Sequence, residues 1–145
     1  MLTLTHFVVA ITTIATLIVC VSIHGMAAAF LMRRLSALKL HAATCVILIV
    51  LGLFVAHVVE IWLFGLLSWT LVQFEGAGAV VGAHDVMTLL DHVYFSAVSY
   101  TTLGYGEVYP VGPIRFIFGT EALVGFMLIT WSASITFLEM QRFWR

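Results

Sequence analysis

The chain has 145 residues, of which 63% are hydrophobic and 9% charged. A soluble domain carries about a quarter charged residues, so this composition excludes a soluble globular domain and points to an integral membrane protein. Six basic and seven acidic side chains give a net charge of −1, which leaves no basic surface for nucleic acid.

The first apolar run covers residues 4–32 without Asp, Glu, Lys or Arg and ends at Arg33 and Arg34. At ~1.5 Å per residue it exceeds a ~30 Å hydrocarbon core. A secretory signal peptide needs a basic start and a shorter apolar stretch, so a retained transmembrane helix is expected. Arg33, Arg34 and Lys39 mark a basic connector that completes an N-terminal unit, residues 1–41. The second run, 42–74, is longer than one span requires, and Trp62 and Trp69 suit an interfacial belt. His57 and Glu60 interrupt it three residues apart, on one helix face. Cys20 and Cys45 lie inside apolar runs and read as reduced thiols.

Residues 75–87 are glycine-rich and polar enough for an exposed loop, with His84 and, just beyond it, His92 as groups that could respond to external pH. Thr88 and Asp91 then fit a capping box at the start of a short helix over 88–100. Thirteen residues give ~20 Å of helix, too short to cross a bilayer, so a re-entrant helix is expected. Next comes Tyr100-Thr101-Thr102-Leu103-Gly104-Tyr105-Gly106-Glu107, followed by Pro110 and Pro113 as helix breakers. A third span follows over residues 114–139, carrying Gly119, Gly125 and one acid, Glu121. Arg142, Trp144 and Arg145 anchor its end at the interface.

Basic residues set the orientation. The connector holds three and the C-terminal segment two, whereas the region between spans two and three holds only Arg115 against Glu75, Asp85, Asp91 and Glu107. The connector and C-terminus are therefore expected in the cytoplasm, with the N-terminus and the re-entrant segment on the outer side.

Non-helical backbone at membrane depth survives only where it is buried in protein or lines an aqueous path. Glycines allow backbone angles that turn successive carbonyls the same way, and rings of carbonyls can replace a cation's hydration shell. The short helix would point its partly negative C-terminus toward the membrane centre, which also favours a cation.

Thr102-Leu103-Gly104-Tyr105-Gly106, with Thr101 before it and Glu107 after it, resembles the Thr-Val-Gly-Tyr-Gly selectivity filter of potassium channels. The order of elements is similar to their pore domain: outer helix 42–74, pore helix 88–100, filter 101–107 and inner helix 113–141, within a pore unit spanning 42–145. The resemblance implies an all-α membrane protein with three spans plus a re-entrant pore helix and filter loop, assembled as a homotetramer around a central pore. Backbone carbonyls of Thr102, Leu103, Gly104 and Tyr105, with the Thr102 hydroxyl, would coordinate dehydrated potassium. Gly106 would complete the filter and Glu107 would sit at its outer mouth. Tyr105 would pack against pore-helix aromatics, Tyr94 and Phe95, with Thr101 as further support. Gly125, or else Gly119, stands where the family's inner helix often has a hinge, although packing explains a glycine there equally well.

Leu103 replaces the family's usual Val or Ile, and Val98 cannot supply the buried carboxylate that some members pair with the acid after the filter. The first span is additional to the minimal pore and lacks the arginine series of a voltage sensor. His57, Glu60 and Glu121 are expected to form a buried polar cluster behind the filter, reaching Ser96, Ser99 or Tyr100. Structural support, a pH-linked gating role and a metal site are its alternative uses. His24 reads as a packed polar residue. Thr130, Ser132 and Ser134 either line the cavity or bond their own backbone. The expected function is passive potassium-selective conduction across the cell membrane, without enzymatic chemistry and without a cofactor beyond potassium ions in the filter. The alternatives are a weakly selective cation channel and a non-conducting accessory protein with a degenerate pore loop.

Overall fold

Helices of 34, 30 and 29 residues dominate the computed structural model, which describes residues 3–38, 40–82 and 86–143. They are α1 (Leu4–Ala37), α2 (Ala42–Leu71) and α4 (Arg115–Phe143), and a twelve-residue helix, α3 (Leu89–Tyr100), lies between the last two. All three long helices are long and apolar enough to cross a membrane. The fold is therefore an all-α multi-span membrane protein with one short helix too small to span. Lys39, His84, Asp85, Trp144 and Arg145 lie outside the described residues, and with them the expected pH role of His84 and the terminal anchor.

Several bounds differ from the sequence reading, and α4 runs Arg115–Phe143 where 114–139 is expected. Helix α1 continues through Arg33 and Arg34 to Ala37, because nothing in 33–37 breaks a helix and the basic side chains suit its C-terminal dipole. Helix α2 stops at Leu71 instead of 74, and the chain turns at once toward the loop.

The packing follows from one apolar stripe per helix. Val9, Thr13, Cys20, His24, Ala28 and Leu35 are the buried positions of α1. Cys45, Ile49, Leu53, Ala56, Glu60, Phe64, Ser68 and Leu71 form the facing stripe of α2. These steps of three, four and seven are the spacing of one helix face. His24 and Glu60 stand inside these stripes, so packing the helices buries both. Most other side chains of the spans are apolar and exposed, as expected where lipid or another subunit is the surroundings. Both cysteines are buried and free.

Helix α3 starts as the capping box requires. The Thr88 hydroxyl accepts from the Asp91 amide at 3.4 Å, and the Thr88 amide donates to the Asp91 carboxylate at 2.7 Å. Gly65 on α2 lets α3 nest close, since a Cβ there would lie 2.8 Å from Val93 Cα.

The exposed loop contains a feature that the sequence did not announce. Strand β1 (Ala79–Val81) pairs antiparallel with β2 (Tyr109–Val111), with Val80 opposite Pro110. The Ile114 amide donates to the Ala77 carbonyl at 3.0 Å, and Ala77 and Ile114 are both fully buried. The two flanks of the re-entrant segment are thus tied together just outside it. Gly78 makes this possible: at φ +104 it lies so close to β2 that a Cβ would sit 2.0 Å from the Val111 carbonyl oxygen.

Candidate functional site

The chain leaves α3 at Thr101, still in a helical conformation with φ −81 and ψ −1. Backbone φ then becomes positive at Thr102 (58°), Gly104 (58°) and Gly106 (86°), while Leu103 and Tyr105 keep negative φ. Thr102 is the single non-glycine with positive φ among the described residues, and such a conformation costs on the order of 1–3 kcal/mol unless its surroundings impose it. Alternating hand along a chain collects successive N–H groups on one side and leaves the carbonyls on the other. The hydrogen bonds agree with this. Thr102 N donates to Ser99 O at 2.9 Å, and Leu103 N donates to Val98 O at 3.0 Å. Among the described residues no backbone donor meets the carbonyls of Thr102, Leu103, Gly104 or Tyr105. Every residue from Thr101 to Glu107 is exposed in the single chain. A row of unpaired, outward carbonyls is a multidentate oxygen site that a single chain leaves open.

The side chains around this segment have the following partners within one chain. Tyr105 is 64% exposed. Phe95 turns toward α4 and packs against Phe118, with ring centroids 4.4 Å apart, so it supports the α3–α4 contact. The Tyr94 hydroxyl donates to the Glu107 carboxylate, and that bond holds the phenol above its ordinary pKa range, so it remains a donor at physiological pH. Tyr94 thus holds the acid after the filter from one turn above Val98, which has no polar group to offer. Tyr94→Phe and Glu107→Gln are each expected to lower the thermal midpoint of the protein. The double substitution should cost clearly less than the sum of the two, as a double-mutant cycle on thermal midpoints would reveal.

Behind the strand lies a buried circuit drawn from all four helices. His24 Nδ1 on α1 lies 3.0 Å from Glu60 Oε1 on α2. The Tyr100 hydroxyl, on the last residue of α3, donates to Glu60 Oε2. His57 Nδ1 is 2.8 Å from the same Tyr100 oxygen, and His57 Nε2 is 3.0 Å from Ser132 Oγ on α4. His24 Nε2 closes the loop at 3.1 Å from Ser132 Oγ. His24, Glu60 and Tyr100 are fully buried. The expected link of His57 and Glu60 to Tyr100 is therefore present. His24 and Ser132, which sequence reasoning did not join to this cluster, are members of it.

Glu121 belongs to a separate site. It is fully buried, and its Oε1 accepts from Ser96, whose hydroxyl also reaches the Ile61 carbonyl at 2.7 Å. Its Oε2 has no hydrogen-bond partner. The three ionisable groups thus form two sites, because α4 presents Glu121 to Ser96 on α3 and Ser132, about three turns further on, to His57 and His24.

His24, His57 and Glu60 each place a ligand atom within 4.8 Å of the others, which is compatible with a metal ion. Those atoms also face one another or Tyr100 at hydrogen-bond distance, which is the arrangement of a hydrogen-bonded circuit.

Of the other sequence candidates, Thr130 and Ser134 bond their own helix backbone. His92 is buried, not facing solvent, and its Nδ1 lies 2.9 Å from Ser68 Oγ. Gly125 lies against the end of α3, where a Cβ would be 2.1 Å from the Tyr100 carbonyl oxygen. Gly119 has open space around it. Close packing therefore accounts for Gly125.

A family described as an ion channel matches residues 43–142, which covers α2, the short helix, the exposed strand and α4. No curated protein and no solved structure matches the chain.

Proposed function

The chain belongs to this ion-channel family, and from that premise we propose that it conducts potassium selectively through a pore formed by four copies of itself. Channel membership assigns it to ion permeation, not enzymatic turnover. The observation that carries the potassium reading is the alternation of backbone hand at Thr102, Gly104 and Gly106. It supplies one column of carbonyls from Thr102 to Tyr105, and a cation stripped of water needs oxygen on all sides. Four columns around an axis provide that cage, whereas one exposed column cannot. The Thr102 hydroxyl would add an oxygen at the inner end, and Glu107 would concentrate cations at the outer mouth. The C-terminus of each α3 would face the axis with its partial negative charge. The basic residues Arg33, Arg34 and Lys39, with Arg142 and Arg145, favour a cytoplasmic connector and C-terminus and an outer N-terminus.

Leu103, 56% exposed in place of a β-branched residue, favours a second reading as a less selective cation channel. Reversal potentials of the purified protein in liposomes or planar bilayers discriminate the two. The potassium reading expects a potential near the potassium equilibrium value in a potassium/sodium gradient. A potential near zero would assign weak selectivity. Absence of flux from a correctly folded oligomer would assign an accessory role.

A further inference from the structure

The five-membered circuit behind the filter has a proton count that does not close with ordinary charge states. Its five shortest contacts are His24–Glu60, Glu60–Tyr100, Tyr100–His57, His57–Ser132 and Ser132–His24, and His57 Nδ1 also lies 3.3 Å from Glu60 Oε2, a longer contact that can only share the proton directed at Tyr100. Each contact joins two N or O atoms at hydrogen-bond distance, and each needs one proton between them. A neutral imidazole brings one proton, and Tyr100 and Ser132 bring one each. An ionised Glu60 brings none. Four protons are available for five contacts, so one pair would have to face each other as two acceptors.

One added proton resolves this. Placed on either imidazole or on Glu60, it completes all five contacts and makes the circuit neutral overall. Without it, the circuit carries a net negative charge at a site where His24, Glu60 and Tyr100 are fully buried, and an uncompensated buried charge is costly. Among the described residues no Lys or Arg contacts the circuit. On α1, Arg33 and Arg34 stand more than two turns beyond His24, about 14 Å along the axis. The other titratable groups facing it are Cys20 on α1 and Glu121 on α4, and neither brings a positive charge. A groove of about 430 Å³ has His57 and Ser132 among its lining residues, beside Leu53, Phe54 and Thr136.

We propose that His24, His57, Glu60, Tyr100 and Ser132 form a binding site for a single proton, and that its occupancy fixes the last residue of the pore helix and so holds the filter in its conducting form. The proton belongs to the circuit as a whole. Through His24, the additional helix α1 completes the proton site, which gives that helix a role in the pore.

The test exploits the same count. In Glu60→Gln the carboxamide donates on one side and accepts on the other, so all five contacts close with both imidazoles neutral. The proton requirement disappears while shape is kept. Reversible unfolding of the full chain in mixed micelles is followed from pH 6 to 9. Because folded wild type holds one proton more than its unfolded chain above about pH 6.5, its folding equilibrium should fall with rising pH, by up to about tenfold per pH unit. Glu60→Gln should lose that slope. A flat wild-type profile, or the same slope in Glu60→Gln, overturns the proton site. Stabilisation of wild type by Zn²⁺ at pH 8 that His24→Asn abolishes would assign a metal instead and overturn it too.

The regulatory part rests on the conduction proposed above, and the unfolding slope tests the proton site whether or not the chain conducts. Potassium flux in liposomes should decline toward alkaline pH in wild type and hold level in Glu60→Gln. Flux that is constant with pH, in a protein showing the unfolding slope, overturns the regulatory part alone.

Discussion

Gly104→Ala is expected to leave the chain folded and assembled but to abolish selective potassium flux. Gly104 has φ +58, and a Cβ there meets nothing within 4 Å. Within one chain the penalty is therefore conformational, about 1–2 kcal/mol for an L-residue in the left-handed region. In a fourfold pore it recurs in every copy, and the backbone can relieve it by turning the Gly104 peptide and taking a carbonyl off the axis. A loss of selective flux of at least about tenfold corresponds to ~1.4 kcal/mol at the ion site, which a single misdirected ring of carbonyls exceeds. Liposome flux in a potassium/sodium gradient reads the result, with the elution volume of the detergent-solubilised protein as the control for assembly. Unchanged selectivity would count decisively against the carbonyl column as the ion site.

Gly125→Ala should fail at the opposite step, before any ion is offered. The new Cβ would lie 2.1 Å from the Tyr100 carbonyl oxygen and 2.8 Å from its carbonyl carbon. Both are backbone atoms at the end of α3, so no rotamer change relieves the clash. Helix α4 must move away from the pore helix, disturbing Tyr100 and, through it, the polar circuit. Overpacking costs typically 1–3 kcal/mol, and an obstruction made of backbone belongs at the top of that range or above. The expected result is a lower thermal midpoint and a reduced yield of oligomer. Gly119→Ala is the matched control: its Cβ enters open space, and an Ala in a helix interior is favoured over Gly by up to about 1 kcal/mol. Normal stability with altered flux in Gly119→Ala would locate a hinge there, whereas a stable, conducting Gly125→Ala would contradict the close packing of α4 on α3.

The architecture was legible where physics is local. Run length against bilayer thickness identified the three spans and the short helix, and Thr88 with Asp91 marked where that helix begins. The motif from Thr101 to Glu107 announced unusual backbone because only glycine takes those angles without cost. Chemistry depending on how helices meet was not legible. The spacing of His57 and Glu60 put them on one face, but nothing in the sequence said that His24, 36 positions before Glu60, would arrive opposite it. Ser132 stands 108 residues from His24. Its neighbours Thr130 and Ser134 bond their own backbone, and only the placement of α4 separates the three. Glu121 looked like a member of the same cluster because its depth was right, whereas its direction is set by the rotation of α4. A signal was nonetheless present for His24: it occupies a stripe of otherwise small or apolar residues on the face that α1 buries. The three-residue strands offered no periodicity to read, and the glycines beside them, Gly78 and Gly112, indicated a turn without indicating a partner.

The strand pair has a consequence for how the protein is made. Strand β1 precedes the pore helix and β2 follows the filter, so the clasp cannot close until residues through Val111 have been synthesised. A twelve-residue helix gains too little from lipid to enter the bilayer alone, and its docking partners on α4, Phe118 and Gly125 among them, are made later still. Biogenesis therefore runs out of chain order. The strand pair and the packing of α3 on α4 can close only once the residues on both sides of the segment have been made.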